Sequence, residues 1–481
     1  LENEEMQSNQ SINKTVLVAV ILAGAFVVIL NQTLLNTAIP KIMSDFSVSA
    51  STAQWLTTGF QLTNGVMIPV TAFLIEKFST RKLFLTAMIL FAAGTLTAAI
   101  APSFSVLLAA RVLQASGAGI MIPLMQTIFL LIFPVEKRGA AMGMVGLVIA
   151  FAPAIGPTLS GWVVESHSWR VLFYMILPIA LLDIVFAYFA LKNVTKLTHP
   201  KIDLTSIVLS SFGFGGLLFG FSSAGNNGWE STQVTVSLII GALALGLFIW
   251  RQLSIEKPML EFRVFKNKIF ALSVFIGMMV MVSMIGVELL LPLYMQNARD
   301  YTAFESGLLL LPGAVIMGIM SPITGRLFDK IGARPLAIIG LTIVAGMTFL
   351  FSDMSASSSY FYMMVIYAIR MFGISLVMMP IMTEGLNQLP NHMLPHGTAM
   401  NNTMRQVAGS IGTATLITVM TNSSKDAAQH GLSQPMIEGM SDAFMFAAII
   451  AVAALVMSFF IKPVKASKKG AKVVKKPVAE N

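Results

Sequence analysis

The sequence predicts an all-α integral membrane protein of fourteen transmembrane helices, arranged as two six-helix bundles with two further helices inserted between them. Three observations carry this. Of 481 residues, 56% are hydrophobic and 11% charged, with a mean hydropathy of +0.79; soluble domains are typically about 25% charged. Apolar stretches of roughly 20 residues, the length that crosses hydrocarbon as a helix, recur along the whole chain. One charged hinge also occurs twice, from Ala72 to Lys82 and from Gly325 to Arg334, 253 positions apart. A carrier built from two related halves needs the same hinge in each.

Taken in order, the apolar stretches centre near Phe26, Gly65, Phe91, Gly117, Ala150, Leu181, Phe214, Ala244, Met279, Ala314, Val344, Met371, Gly409 and Ile450. The first, Thr15 to Ile39, is longer than a signal-peptide core and lacks a small-residue cleavage pattern, so it is expected to remain as a helix. Six helices at this density take about 190 residues, so a 253-residue repeat leaves roughly 65 over, enough for two more helices. Those are expected around Ile202 to Ala224 and Val234 to Trp250. The predicted organisation is a cytoplasmic segment (1–14), a first bundle (15–191), the inserted pair with a charged linker (192–268), a second bundle (269–461) and a basic tail (462–481).

An even helix count puts both termini on one side, and positive charge decides which side. The termini and the loops on their side hold 24 Lys and Arg, whereas the opposite loops hold only Lys41, Arg170, Arg299 and Lys425. Both ends are therefore expected in the cytoplasm, with the Lys468 to Lys476 tail lying on anionic headgroups.

Several function classes drop out. There are no cysteines, hence no disulfide, iron–sulfur or thiolate metal site. The five histidines (His167, His199, His392, His396, His430) fall in expected loops, and Pro395 interrupts the His392/His396 pair, so no metal site is expected. No Gly-x4-Gly-Lys-Ser/Thr loop is present, so the chain is not read as an ATP-hydrolysing enzyme. It is expected to need no cofactor, and an ion gradient is left to drive it. The net charge of +9 is scattered through short loops and the tail, which argues against a nucleic-acid partner. Asn31-Gln32-Thr33 matches a glycosylation sequon but lies within a span.

The fifth helix carries the most specific pattern: Gly143, Ala152, Gly156-Pro157 and Ser160-Gly161. Small residues at these intervals let another helix approach closely, and the proline bends the helix. The pattern resembles the antiporter signature of the major facilitator superfamily. Leu30 to Pro40 is similar to the first-span motif of its fourteen-span drug:proton antiporter family. Arg111-Val112-Leu113-Gln114 with Gly117 and Gly119 resembles the fourth-helix motif, and Ser168-Trp169-Arg170 through Pro178 the approach to the sixth. The resemblance spans the whole chain and is nearest to lincomycin-resistance-type exporters of Gram-positive bacteria. It implies the major facilitator fold, residence in the bacterial cytoplasmic membrane as a monomer among lipids, and proton-driven export of small amphipathic drugs by alternating access. The chain departs from the pattern at Ala72, Glu76, Ser79 and Thr80, where the hinge has Gly, Asp, Gly and Arg, and at Asn31, where most members carry Asp. A metabolite or nutrient transporter, and a non-transporting sensor or scaffold, are the alternatives.

Site residues follow from charge and depth. In the hinges, Glu76 with Lys77, Arg81 and Lys82, and Asp329 with Gly325, Lys330 and Arg334, are expected to latch the cytoplasmic side; the plainer reading is that they are topology charges only. Ionisable groups at hydrocarbon depth are functional candidates: Glu288, Asp183 and Arg111 for proton coupling, with Arg370 as the repeat-mate of Arg111. The offsets are 259 for Arg111 to Arg370 and 257 for Asn31 to Glu288, so Glu288 stands where Asn31 stands in the first half. The substrate cavity is expected to use Asn31, Gln32, Asn36, Phe60, Gln61, Met281 and Met284, because pliable thioethers and aromatics accept many shapes. Arg405 is expected at the start of the thirteenth helix, at the interface.

Overall fold

The computed structural model describes residues 13–461 except 36, 196, 199, 201, 356 and 433. Asn36, the first twelve residues and the basic tail, all part of the expectations above, lie outside the described residues. The fold is helical throughout, with no strand among the described residues. In the first half the helices are α1 (Lys14–Leu34), the short α2 (Ile39–Phe46), α3 (Ala50–Lys77), α4 (Thr80–Ala99), α5 (Phe104–Ile132), α6 (Arg138–Ser166) and α7 (Arg170–Ala190). The inserted pair is α8 (Leu204–Asn227) and α9 (Thr232–Ser254). The second half is α10 (Lys268–Leu293), α11 (Ala303–Ile331), α12 (Ala333–Ser352), α13 (Tyr360–Asn387), α14 (Leu394–Gln429) and α15 (Pro435–Ser458).

Each of the fourteen expected centres falls inside one of the long helices. By length and composition, 13 of them qualify as membrane spans, so the protein is a multi-pass membrane protein. The exception is α14, which carries Asn401, Asn402, Arg405 and Gln406 and is too polar to score, yet packs against α3, α8, α10 and α15. It is a span because its polar face is turned into protein. The first span ends at Leu34 instead of Ile39, and the chain then folds into α2 at the far end, where Asp45 accepts from Trp169 Nε1 (2.8 Å) and Arg170 Nη1 (3.3 Å).

Helix starts follow capping chemistry. Asn13, Ser49, Ser79, Ser103, Asp203 and Asn267 each turn a side-chain oxygen onto the first free N–H groups of the helix that follows. Thr302 and Glu305 form a reciprocal capping box on α11. The two hinges solve the same turn differently. Gly332, at φ 81°, takes the left-handed conformation between α11 and α12, which glycine adopts without steric cost. Its repeat-mate Ser79 sits at φ −62° and caps α4 through Lys82 N, so the first hinge has no need of glycine.

Packing repeats between the halves. Helices α4–α5, α3–α5, α4–α7, α1–α6 and α1–α7 pack as α12–α13, α11–α13, α12–α15, α10–α14 and α10–α15 do. Between the bundles run two seams: α6 against α11, and α3 with α5 against α14. Helix α8 lies across the second seam, touching both α3 and α14. At the hinge end the inserted pair is tied by Arg251 to Asp203 (3.0 Å). Burial pushes the Asp203 carboxyl up, but hydrogen bonds from Arg251 and Ser206 outweigh it and hold the group below its usual range.

Candidate functional site

In the first bundle, α5 carries Arg111 into a fully enclosed position. Its Nη1 donates to Asn31 Oδ1 of α1 (3.0 Å) and Gln114 Oε1 (2.9 Å), and its Nε to the Leu56 carbonyl of α3 (3.4 Å). Gln114 in turn donates to Thr95 Oγ1 of α4 (2.8 Å), and the guanidinium lies 4.2 Å over the Phe60 ring. The buried cation is thus surrounded by neutral acceptors and an aromatic face, which ties four helices together. Of the expected cavity residues, Asn31 has its carbonyl engaged by Arg111, while its amide nitrogen is buried without a partner. Phe60 is buried against Arg111, Gln32 is half-buried and Gln61 is exposed.

The second bundle repeats this frame with one change. Arg370 of α13 donates from Nε to Thr348 Oγ1 of α12 (2.9 Å) and from Nη2 to the Ser283 carbonyl (2.6 Å) and Oγ (3.2 Å) of α10. Thr348 is the repeat-mate of Thr95, again 253 residues on. Glu288, however, does not take the place Asn31 holds against Arg111. It is half-buried, feels the charge of Arg370, and makes no hydrogen bond or ion pair among the described residues. A carboxyl facing a cation without being tied to it is free to change its charge state.

Asp183 of α7 lies elsewhere. It is 5% exposed, its Oδ2 has no partner, and it sits against Gly24 of α1 and the ring of Phe84 of α4. No hydrogen bond joins it to Arg111 or Glu288, so the three proton-coupling candidates form no single cluster.

The hinges bind across the seams and not within themselves, which corrects the expected pairing with their own bases. Asp329 accepts from the backbone N–H of Gly139 (2.8 Å) and Ala140 (2.9 Å) at the start of α6 in the other bundle. That helix end bears partial positive charge and free N–H donors. Gly325 lets α11 come this close, since a Cβ there would stand 2.2 Å from the Gly139 carbonyl. Lys330 and Arg334 are exposed and carry no ion pair among the described residues. Glu76 Oε1 meets His396 Nε2 of α14 at 3.0 Å, and His396 Nδ1 accepts from Glu261 N (3.3 Å), which makes Nε2 the protonated, donating nitrogen. Lys77 lies over Phe73, Arg81 over Tyr188 (4.2 Å), and Lys82 points outward. His396 therefore is not a loop residue: it lies in the first turn of α14, with Pro395 ahead of it where proline suits a helix start. Sequence reasoning missed it, although Arg138-Gly139 and His396-Gly397 share an offset of 258 that marks both helix starts.

The fifth-helix pattern divides between two neighbours. A Cβ on Gly143 would stand 2.6 Å from the Ser321 carbonyl of α11, and one on Gly156 would strike Thr33 of α1 at 2.1 Å. Ala152 is buried and Pro157 half-buried, while Gly161 faces open space. The helix is therefore slim on the side of the other bundle near the hinges and slim toward its own bundle further out.

Met281 and Met284 do line a cleft, enclosed by α10, α13 and α14. Arg405 lines it too, eleven residues into α14 and not at its start or at the interface, with one partner, Met281 Sδ at 3.9 Å. The free space holds about one water molecule, so this conformation is closed around it.

Residues 21–413 match the Major Facilitator Superfamily. The chain belongs to that superfamily. It is 57% identical over 450 residues to "Uncharacterized MFS-type transporter YcnB" of Bacillus subtilis, covering 94% of this chain and 95% of the relative. It is 44% identical to "Lincomycin resistance protein LmrB" of Listeria innocua, covering 96% and 100%. Among solved structures it resembles the proton:xylose symporter XylE, with a TM-score of 0.64 and 15% identity over 95% of this chain and 97% of that one. This major facilitator protein is a secondary transporter and not an enzyme.

Proposed function

We propose that the chain is a proton-coupled exporter of small amphipathic antibiotics and dyes, working as a monomer in the bacterial cytoplasmic membrane with both termini in the cytoplasm. The observation that carries the reading is Glu288: one untied carboxyl within the field of Arg370, on the helix that repeats α1, where the first half offers its arginine only a neutral amide. Similarity to lincomycin-resistance proteins supports drugs as cargo, and the excess of Lys and Arg at the hinge end supports its placement inside.

In the cycle this implies, both hinges hold the cytoplasmic seams shut while the cavity faces out. Glu288 takes a proton there, which cancels its attraction to Arg370 and loosens α10 from α13. Rocking then opens the cytoplasmic side, where Glu288 releases the proton and drug enters the cleft. Recharging of Glu288 restores the pull of Arg370 and favours the closed seam.

Ethidium efflux and drug-induced proton release, measured with and without a protonophore, test the reading. Glu288→Gln is expected to abolish uphill efflux and proton release while leaving downhill exchange; Asp183→Asn is expected to leave both. Uphill, protonophore-sensitive efflux from Glu288→Gln would overturn the coupling role. No efflux from the wild-type chain would favour a metabolite carrier or a scaffold.

A further inference from the structure

The cleft between α10, α13 and α14 holds more polar capacity than its protein neighbours use. Arg405 and Asn401 stand one turn apart on one face of α14, with the Ser273 hydroxyl and the thioethers of Met281, Met284, Met378 and Met382 around them. A guanidinium offers five N–H donors in a planar fork, and here only one reaches a partner, a thioether sulfur, which is a weak acceptor. The two fully enclosed arginines differ: Arg111 and Arg370 are each held by three hydrogen bonds, although Arg370 Nη1 is left over, whereas Arg405 is half-buried and opens on the cleft. Arg405 is therefore not a helix tie. Asn401, 3% exposed, and Ser273, 1% exposed, leave Oδ1 and Oγ without partners.

The buried, unpartnered Asn401 Oδ1 and Ser273 Oγ are costly at hydrocarbon depth, and the cost is relieved by a ligand that supplies their complements, while the free donors of Arg405 line the cleft beside them. The fork of Arg405 matches two oxygens of a carboxylate or sulfonate. Asn401 Oδ1 asks for a donor beside that group, such as a hydroxyl or amide N–H. The methionines accommodate an apolar body of variable shape.

We propose that this cleft is the subsite for the acidic group of amphipathic organic acids, held by Arg405, with an adjoining hydroxyl or N–H donor on Asn401 and the apolar body against the four methionines. The inference rests on the export reading for the direction of travel, not for binding. It gives the transporter a class of cargo that a neutral or cationic drug pocket would reject.

The test uses the full chain in lipid nanodiscs with three fluorescent probes: naphthylacetate, its methyl ester, and naphthylglycolate, which adds a hydroxyl next to the acid. Wild type is expected to bind the acid about tenfold or more tighter than the ester, the range of a charge-assisted hydrogen bond, and the hydroxy acid more tightly still. Arg405→Gln should bring the acid to the level of the ester, and Arg405→Lys should recover part of the preference. Asn401→Leu should keep the preference for acid over ester and lose that for hydroxy acid over acid; it decides the matter if Arg405→Gln does not fold. Equal binding of acid and ester by wild type, or an undiminished preference in Arg405→Gln, overturns the proposal even where ethidium is exported. Selective acid binding without gradient-driven transport of any probe leaves the subsite standing and sinks the export reading instead.

Discussion

Neutralising Asp329 should open the hinge end by a calculable amount. Both carboxylate oxygens accept from backbone N–H groups of α6, at 2.8 and 2.9 Å. Asn keeps one acceptor and turns an NH2 group toward the second N–H, so one hydrogen bond is lost and the other loses its charge. A hydrogen bond to a charged group contributes about 1.5–3 kcal/mol, and the helix-terminus charge about 0.3–1 kcal/mol. Because Asp329 is only half-buried, solvent screening reduces the loss to about 2 kcal/mol, roughly thirtyfold in the closed-to-open equilibrium. Spin labels at Lys82→Cys and Ile331→Cys, exposed on opposite bundles, report the separation directly, and the chain has no native cysteine to interfere. Double electron–electron resonance should show Asp329→Asn gaining a longer-distance population, with dye export falling in parallel. A distribution no different from that of the control Asp353→Asn, exposed at the far end, would refute the argument that this carboxylate closes the seam.

The remaining predictions probe the seams and the inserted pair. Gly143→Ala drives a methyl against the Ser321 carbonyl, so it should cost about 1–3 kcal/mol of closed-state stability and raise the accessibility of cysteines introduced along the seam; Gly161→Ala, with nothing within 4 Å, should change neither. Glu76→Gln keeps an acceptor for His396 but loses the charge, so it should widen the same label distances less than Asp329→Asn does, and His396→Ala should match or exceed it. Since the Asp203 carboxyl is held below its usual range in the folded protein, its bond to Arg251 stabilises the inserted pair above the ordinary carboxylate range and is lost as pH falls through its lowered value. Asp203→Asn should therefore remove an acid-dependent step from thermal unfolding of the pair, followed by limited proteolysis ahead of Leu204 from about pH 5, where an ordinary Asp is still ionised, downward.

How much of this was legible in the sequence depended on the range of the interaction. Hydropathy is local, and it located every long helix, including α14, although the polar residues of α14 hid its depth and put Arg405 at its start instead of three turns in. Offsets between repeats are long-range but still linear: they paired Arg111 with Arg370, but they set Glu288 opposite Asn31, whereas Ser283 is the residue of α10 that binds Arg370. The partners of the hinge acids were not legible, because Asp329 and Gly139 lie 190 residues apart and His396 and Glu76 lie 320 apart. Local spacing offered each acid its own neighbouring bases and the start of the next helix, whereas the fold offered a helix start in the other bundle. Those bases remained solvated, since an exposed ion pair contributes little while a carboxylate on two free N–H groups satisfies donors that a helix must otherwise leave open.

The difference between the two half-sites has a physical consequence for the cycle. An Asp at position 31 would place an anion directly on Arg111, a pair held by charge and broken by a proton. Asn31 turns that contact into a hydrogen bond between a cation and a neutral amide, which protonation in the physiological range does not break. Only the second bundle then retains a contact whose strength depends on protonation, between Glu288 and Arg370, and it lies on α10, the helix that also bears Met281 and Met284 of the cleft. Met281 and Glu288 are two turns apart on nearly the same face, about 10 Å along the axis. On the proposed reading, a proton arriving at Glu288 and cargo leaving Arg405, which contacts Met281, act on one helix two turns apart, and α10 is where their free energies can be exchanged.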